Sequence, residues 1–122
     1  MAVQKVIVAG GSGFIGRPLC RALYADGQRE VWALSRRPGV AIPDACVVTW
    51  NGHEFGPWQT ALEGAQVVIN LCGANIAAER WTQARKEDLV ASRLLSTRAL
   101  VAALAAEPEG PTTFISASAV GY

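Results

Sequence analysis

The sequence predicts an α/β chain: one parallel β-sheet with helices packed against both of its faces. Three observations carry this. An apolar run of strand length with β-branched residues, Val3 to Val8, opens the chain and leads into glycines spaced G-x-x-G-x-x-G at Gly10, Gly13 and Gly16. Similar short apolar runs recur along the chain and alternate with loops or with segments of helical spacing. These runs are of the kind expected for parallel strands covered on both faces.

The elements follow in order. After the glycines, Phe14 to Asp26 is amphipathic, with Phe14, Ile15, Leu19, Leu23 and Tyr24 at helical spacing. Pro18 falls in the first turns, where a missing N–H costs little. Gly27 is the first stop signal. Glu30 to Leu34 reads as the second strand, and Ser35-Arg36-Arg37-Pro38-Gly39 as a loop. Cys46 to Trp50 is a short third strand closed by Asn51-Gly52. Gly52 to Gly64 is mixed, with one short helix from Pro57 to Leu62, and is expected to wrap over the sheet edge. Gln66 to Leu71 is the fourth strand. Ala74 to Trp81 is a loop or helical turn. A long helix then runs from a Thr82 cap to about Ala106, its apolar positions including Leu89, Val90, Leu94, Leu95, Leu100, Val101 and Leu104. Pro108, Gly110 and Pro111 stop it, and Thr112 to Ile115 begins a fifth strand.

Strands joined by helices imply right-handed crossovers. Starting from a glycine fingerprint, the fold class is a Rossmann-type doubly wound parallel sheet of order 3-2-1-4-5, with a ligand across the carboxyl ends of strands one and four. Such a domain normally continues past its fifth strand. Residues 1–122 are therefore expected to be the N-terminal part of an NAD(P)-binding domain, truncated after strand five. Self-association could complete the sheet.

Composition narrows the partners. The chain has 122 residues, is 51% hydrophobic and 17% charged, and carries a net charge of +1. It has no basic block, so nucleic acid is not the expected partner. No apolar run reaches the ~20 residues of a membrane span, and the first residues lack a signal-peptide layout. Cys20, Cys46 and Cys72 are odd in number, widely spaced and set among apolar residues. They read as reduced, buried thiols of a cytoplasmic protein, forming neither disulfides nor a metal site. His53 is the single histidine and has no cysteine near it, so it reads as a loop residue.

The glycine turn, Gly10, Gly11, Ser12, Gly13, Phe14, Ile15 and Gly16, is the first candidate site. A strand, a turn without Cβ atoms and a helix start let backbone N–H groups meet a pyrophosphate. Arg17 could add positive charge there or be a solvated helix residue. Cofactor choice falls to the end of strand two. An acidic residue there, ~20 residues past the glycines, bonds the ribose 2′-OH of NAD. This chain has Ser35, followed by Arg36 and Arg37. A hydroxyl and a guanidinium suit a 2′-phosphate, which favours NADP(H) over NAD(H). Arg36 is the stronger candidate of the two arginines. Leu71, Cys72, Gly73 and Ala74 end strand four, where small residues let the backbone run beside a cofactor. The same residues suit close packing. Arg80 and Trp81 are candidates for an anionic substrate group and a pocket wall, or else a helix anchor and an ion pair.

The chain resembles the atypical or extended branch of the short-chain dehydrogenase/reductase superfamily, with its NAD-dependent epimerase/dehydratase-like members. Within these it is most similar to the epimerase family proteins, sugar-nucleotide-epimerase-like and of uncertain substrate. Four stretches carry the resemblance: Gly10 to Gly16; Leu34 to Arg37; Asn70 to Ile76 with Arg80-Trp81, Lys86, Ser92-Arg93 and Thr97-Arg98; and Ser116 to Tyr122. The resemblance implies that Ser118 orients a substrate oxygen, while a Tyr assisted by a Lys four residues on transfers a proton. The tyrosines are Tyr24 and Tyr122 and the lysines Lys5 and Lys86, so this chain holds no Y-x-x-x-K. Family members are longer, with a C-terminal region that shapes the substrate pocket. The resemblance therefore implies the NADP(H)-binding portion of an epimerase or oxidoreductase acting on a hydroxyl or carbonyl of a nucleotide-sugar-like or other small substrate. The alternative is a non-catalytic NADP(H)-binding sensor or regulatory module.

Overall fold

The computed structural model describes residues 4–11, 13, 15–25, 27–52, 56–71, 83–106 and 113–116, with side chains in the long helix described from residue 94 onward. The elements in chain order are β1 (Gln4–Ala9), α1 (Gly16–Tyr24), β2 (Arg29–Ser35), β3 (Cys46–Thr49), a 3-10 helix (Pro57–Leu62), β4 (Val67–Asn70), α2 (Gln83–Ala106) and β5 (Thr113–Ser116). The five strands form one sheet of order β3-β2-β1-β4-β5, every pair parallel. This is the Rossmann-type doubly wound order expected from the sequence. Among the described residues no helix is long and apolar enough to cross a membrane.

β1 is the centre of the sheet, and its alternation divides the core. Ile7 and Ala9 point into one cluster with Leu34, Trp50, Trp58, Leu62, Val68 and Leu100. Val6 and Val8 point into the other, with Cys20, Val31, Ala33 and Ile42. Side chains two apart share a face, so a strand apolar at consecutive positions must be covered on both sides. α1 supplies one cover through Leu19, Cys20 and Leu23. The 3-10 helix and α2 supply the other through Trp58, Ala61, Leu62, Ala99, Leu100 and Ala103.

The helices depart from the expected bounds and faces. The first helix is shorter than Phe14 to Asp26. Its N-cap is Ile15, and its end is closed by Gly27, whose N–H donates to the Tyr24 carbonyl at 2.9 Å from a left-handed φ of +71°. Ile15 and Tyr24 were expected on the apolar stripe but are exposed, at 64% and 49%. They lie where the helix starts and ends, outside the face held by Cys20. In α2, Leu94, Leu95 and Val101 are exposed, and the buried stripe runs through Ser96, Ala99, Leu100 and Ala103. The buried face combines one large side chain, Leu100, with the small Ser96, Ala99 and Ala103.

The segment before β4 packs against the edge strand β3, as expected. Its 3-10 helix starts at Pro57, with the Gly56 N–H held by Gln59 Oε1 at 3.3 Å, and drives Trp58 into the core. Among the thiols, Cys20 is buried, and burial pushes its pKa up against the opposing pull of Arg17, with Asp44 adding to the rise. Cys46 departs from the expected burial: it opens the edge strand β3 and is exposed.

Candidate functional site at the carboxyl edge of the sheet

The glycine turn is shaped by contacts that a side chain would break. Gly10 turns the chain at a left-handed φ of +82°, a conformation that costs glycine little. Its N–H donates to the Leu34 carbonyl at 3.0 Å, which fixes the turn beside the end of β2. A Cβ on Gly11 would lie 2.7 Å from the Ala33 Cβ, and one on Gly16 would lie 2.6 Å from the Gly11 Cα. These two glycines let the turn lie against the sheet and the helix lie against the turn. Gly13 differs. A Cβ there meets only the Gly10 carbonyl oxygen, at an ordinary 3.4 Å, among the described residues. The packing of the described residues therefore leaves room for a side chain at Gly13.

The start of α1 carries no side-chain cap and no acidic residue in its first turn. The Arg17 N–H donates to the Gly13 carbonyl at 3.2 Å and Pro18 has no N–H, so the positive end of the helix dipole stands behind the glycine turn without a carboxylate in its first turn. Ile15 stands exposed at this start. Arg17 does not turn toward the glycines in its described contact: its Nη1 donates to the Ala41 carbonyl at 3.3 Å, tying α1 to the loop before β3. Ser12 and Phe14 lie outside the described residues.

The end of β2 stands beside this turn. Ser35 is buried, and its hydroxyl accepts the Arg37 N–H at 3.2 Å. The Ser35 carbonyl accepts the Trp50 N–H at 3.0 Å, which joins the ends of β2 and β3. Ser35 thus bends the loop that presents Arg36 and Arg37, both exposed. The side chain of Arg36 lies across Gly52.

An open groove of about 480 Å³ lies here, bounded by Arg36, Pro38, Thr49, Trp50, Pro57 and Trp58. Trp50 and Trp58 meet edge to face with ring centroids 4.9 Å apart. The Trp50 indole Nε1 is buried and, among the described residues, has no hydrogen-bond partner. An orphaned buried donor is uncommon and calls for a cause such as a missing partner. The two tryptophans, Gly52 and the prolines were not singled out from the sequence. The signal was the register: Ser35 pairs with Thr49, so Trp50 must stand beside Arg36.

On the other side of the turn, the Leu71 N–H donates to the Ala9 carbonyl at 2.8 Å, so the β4 end borders the glycines as well. Leu71 is half-buried against the α1 face. Asn70, the last residue of β4, is buried and its Nδ2 donates to Thr97 Oγ1 of α2 at 3.2 Å and to Ser116 Oγ of β5 at 3.4 Å. Cys72, Gly73, Ala74, Arg80, Trp81 and Ser118 lie outside the described residues. The structure therefore brings together the glycine turn, the Ser35–Arg37 loop and Leu71 at one edge.

These residues fit a dinucleotide. Gly13 leaves a cradle without Cβ beside an uncapped helix start. Arg36 offers a guanidinium next to an aromatic groove. A concave site with apolar walls and few convergent polar groups is the usual form of a small-molecule site.

Known proteins point the same way. The model of the NAD dependent epimerase/dehydratase family matches residues 6–121. An epimerase family protein of Mycobacterium tuberculosis is 41% identical over 124 residues, covering 100% of this chain and 38% of the relative. A human epimerase family protein is 32% identical over 121 residues, covering 98% and 38%. The chain thus spans about two-fifths of the length of these curated relatives. Among solved structures, a short-chain dehydrogenase/reductase superfamily protein from Agrobacterium tumefaciens with bound NAD superposes with a TM-score of 0.70. It is 28% identical and covers 95% of this chain and 33% of that one. MoeE5 in complex with UDP-glucose and NAD gives 0.70 at 27% identity, covering 94% and 36%. With the family model matching from the core of β1 to the residue before the last, the chain belongs to the NAD dependent epimerase/dehydratase family.

Proposed function

We propose that the protein binds NADP(H) and uses it for epimerase or oxidoreductase chemistry at a hydroxyl or carbonyl of a small, nucleotide-sugar-like substrate. The observation that carries the cofactor choice is the end of β2. No carboxylate stands there; Ser35 is followed by the exposed Arg36, beside a groove walled by Trp50 and Trp58. A carboxylate would bond a ribose 2′-OH and repel a 2′-phosphate, whereas a guanidinium pairs with the phosphate, bidentately where geometry allows. The neighbours named above carry NAD, so the preference for the phosphorylated cofactor rests on this chain's own residues.

The chain's groups divide the work. The turn and the start of α1 hold the pyrophosphate through backbone N–H groups. Arg36 holds the 2′-phosphate. The groove takes the adenosine end. Ser118, two residues past β5, orients the substrate oxygen. The cofactor supplies hydride acceptance and donation at its nicotinamide.

Titration of the full-length protein with NADPH and NADH tests the reading. The expected result is tighter binding of NADPH, and a loss of about tenfold to a hundredfold in Arg36→Ala, the range for one hydrogen bond to a charged group. NADH affinity should hardly change. Equal binding of both cofactors, untouched by Arg36→Ala, would overturn the assignment.

A further inference from the structure

We infer that Gly52 is a positioning residue for Arg36 and, through it, a determinant of cofactor selectivity. This rests on the reading of Arg36 as the 2′-phosphate ligand. Gly52 follows β3 by three residues and is buried, with a left-handed φ of +86°. The left-handed glycines Gly27, Gly39 and Gly64 have nothing within 4 Å of a built Cβ, so turn geometry alone accounts for them. Gly52 has a second requirement. A Cβ there would fall 2.8 Å from Arg36 Cδ, 3.5 Å from Cγ and 3.7 Å from Nε.

The absence of a side chain at Gly52 is thus the seat on which the Arg36 stem rests. The guanidinium is carried beside the groove bounded by Thr49 and Trp50. The clash of a substituted Gly52 would be with a flexible side chain and not with backbone. A Cβ therefore moves Arg36 off its seat while leaving β2 and β3 paired. Long arginine side chains have many rotamers, and a contact that selects one lowers the entropy lost on binding an anion.

The test uses the full-length protein with Gly52→Ala and Gly52→Asn, titrated with NADPH and NADH and melted without ligand. Asparagine tolerates left-handed backbone better than alanine, so the second variant carries the Cβ with less strain. Both are expected to weaken NADPH by about tenfold and NADH by less than about twofold, the loss of one charge-assisted contact. In an Arg36→Ala background, Gly52→Ala should add nothing, since coupled residues lose one shared interaction only once. Unchanged NADPH affinity in both Gly52 variants, with Arg36→Ala still harmful, overturns this inference and leaves the reading of Arg36 intact. Equal weakening of both cofactors makes Gly52 merely structural and also overturns it. An Arg36→Ala protein with an unchanged NADPH-to-NADH ratio removes the reading of Arg36, and this inference with it.

Discussion

At the scale of single residues, three glycines of the turn, Gly11, Gly13 and Gly16, are alike in type and different in cause. Gly16 and Gly11 are held to glycine by the fold: a Cβ on Gly11 would meet the Ala33 Cβ at 2.7 Å, and one on Gly16 would meet the Gly10 carbonyl oxygen more closely still. Among the described residues nothing holds Gly13 in the same way, since its Cβ would meet one oxygen at 3.4 Å. The substitutions should therefore separate. Gly16→Ala is expected to cost about 1–3 kcal/mol of stability, as overpacking does. Gly13→Ala should stay within about 0.5 kcal/mol of the parent, the range of substitutions that disturb no packing. It should still weaken dinucleotide binding at least tenfold (about 1.4 kcal/mol), because the methyl group stands where the pyrophosphate must approach. Denaturant melts read the first quantity and fluorescence titration with NADPH the second. A Gly13→Ala protein that binds normally would show that the ligand does not approach this turn.

At the scale of elements, the ends of β4, β5 and α2 are tied by one buried amide. Asn70 Nδ2 serves Thr97 and Ser116 at once, so the carboxyl ends of two strands and a turn of helix share a register. Replacing it with alanine removes its bonds to the half-buried Thr97 and the exposed Ser116 and should cost about 1 kcal/mol in a urea melt, the net worth of an ordinary hydrogen bond. A variant as stable as the parent would show that the amide is not holding these elements. The strands themselves were legible in sequence to within one residue, because β-branched apolar runs between turn signals leave few alternatives. The helix faces were not. Ile15, Tyr24, Leu94, Leu95 and Val101 are apolar and exposed, while Ser96 and Ala99 are buried. Apolar residues stand on more than one face of these helices, and only the face turned to the sheet is buried. Cys46 misled for a related reason, since an edge strand buries less than a central one.

At the scale of the whole molecule, the chain order decides where a ligand can sit. β1 leads to β2 on one side and β4 lies on the other, so the sheet changes direction beside β1. The carboxyl ends of the strands flanking such a switch leave a crevice. The glycine turn was legible because its residues are adjacent in sequence. The groove was not, because Arg36, Trp50, Gly52 and Trp58 come together only through the pairing of β2 with β3 and the packing of the 3-10 helix. A ligand lying across this edge would touch α1, β2, β3 and β4 together and bind only the folded chain. Its binding free energy then adds to global stability. At a concentration a hundred times its dissociation constant, NADPH should stabilise the full-length protein by about 2.7 kcal/mol. NADH at the same concentration should give a smaller rise, because the same concentration is fewer multiples of its dissociation constant. In Arg36→Ala the two rises should converge. Melting curves recorded with each cofactor on parent and variant read this directly. Equal rises in the parent would place the 2′-phosphate in solvent, away from Arg36.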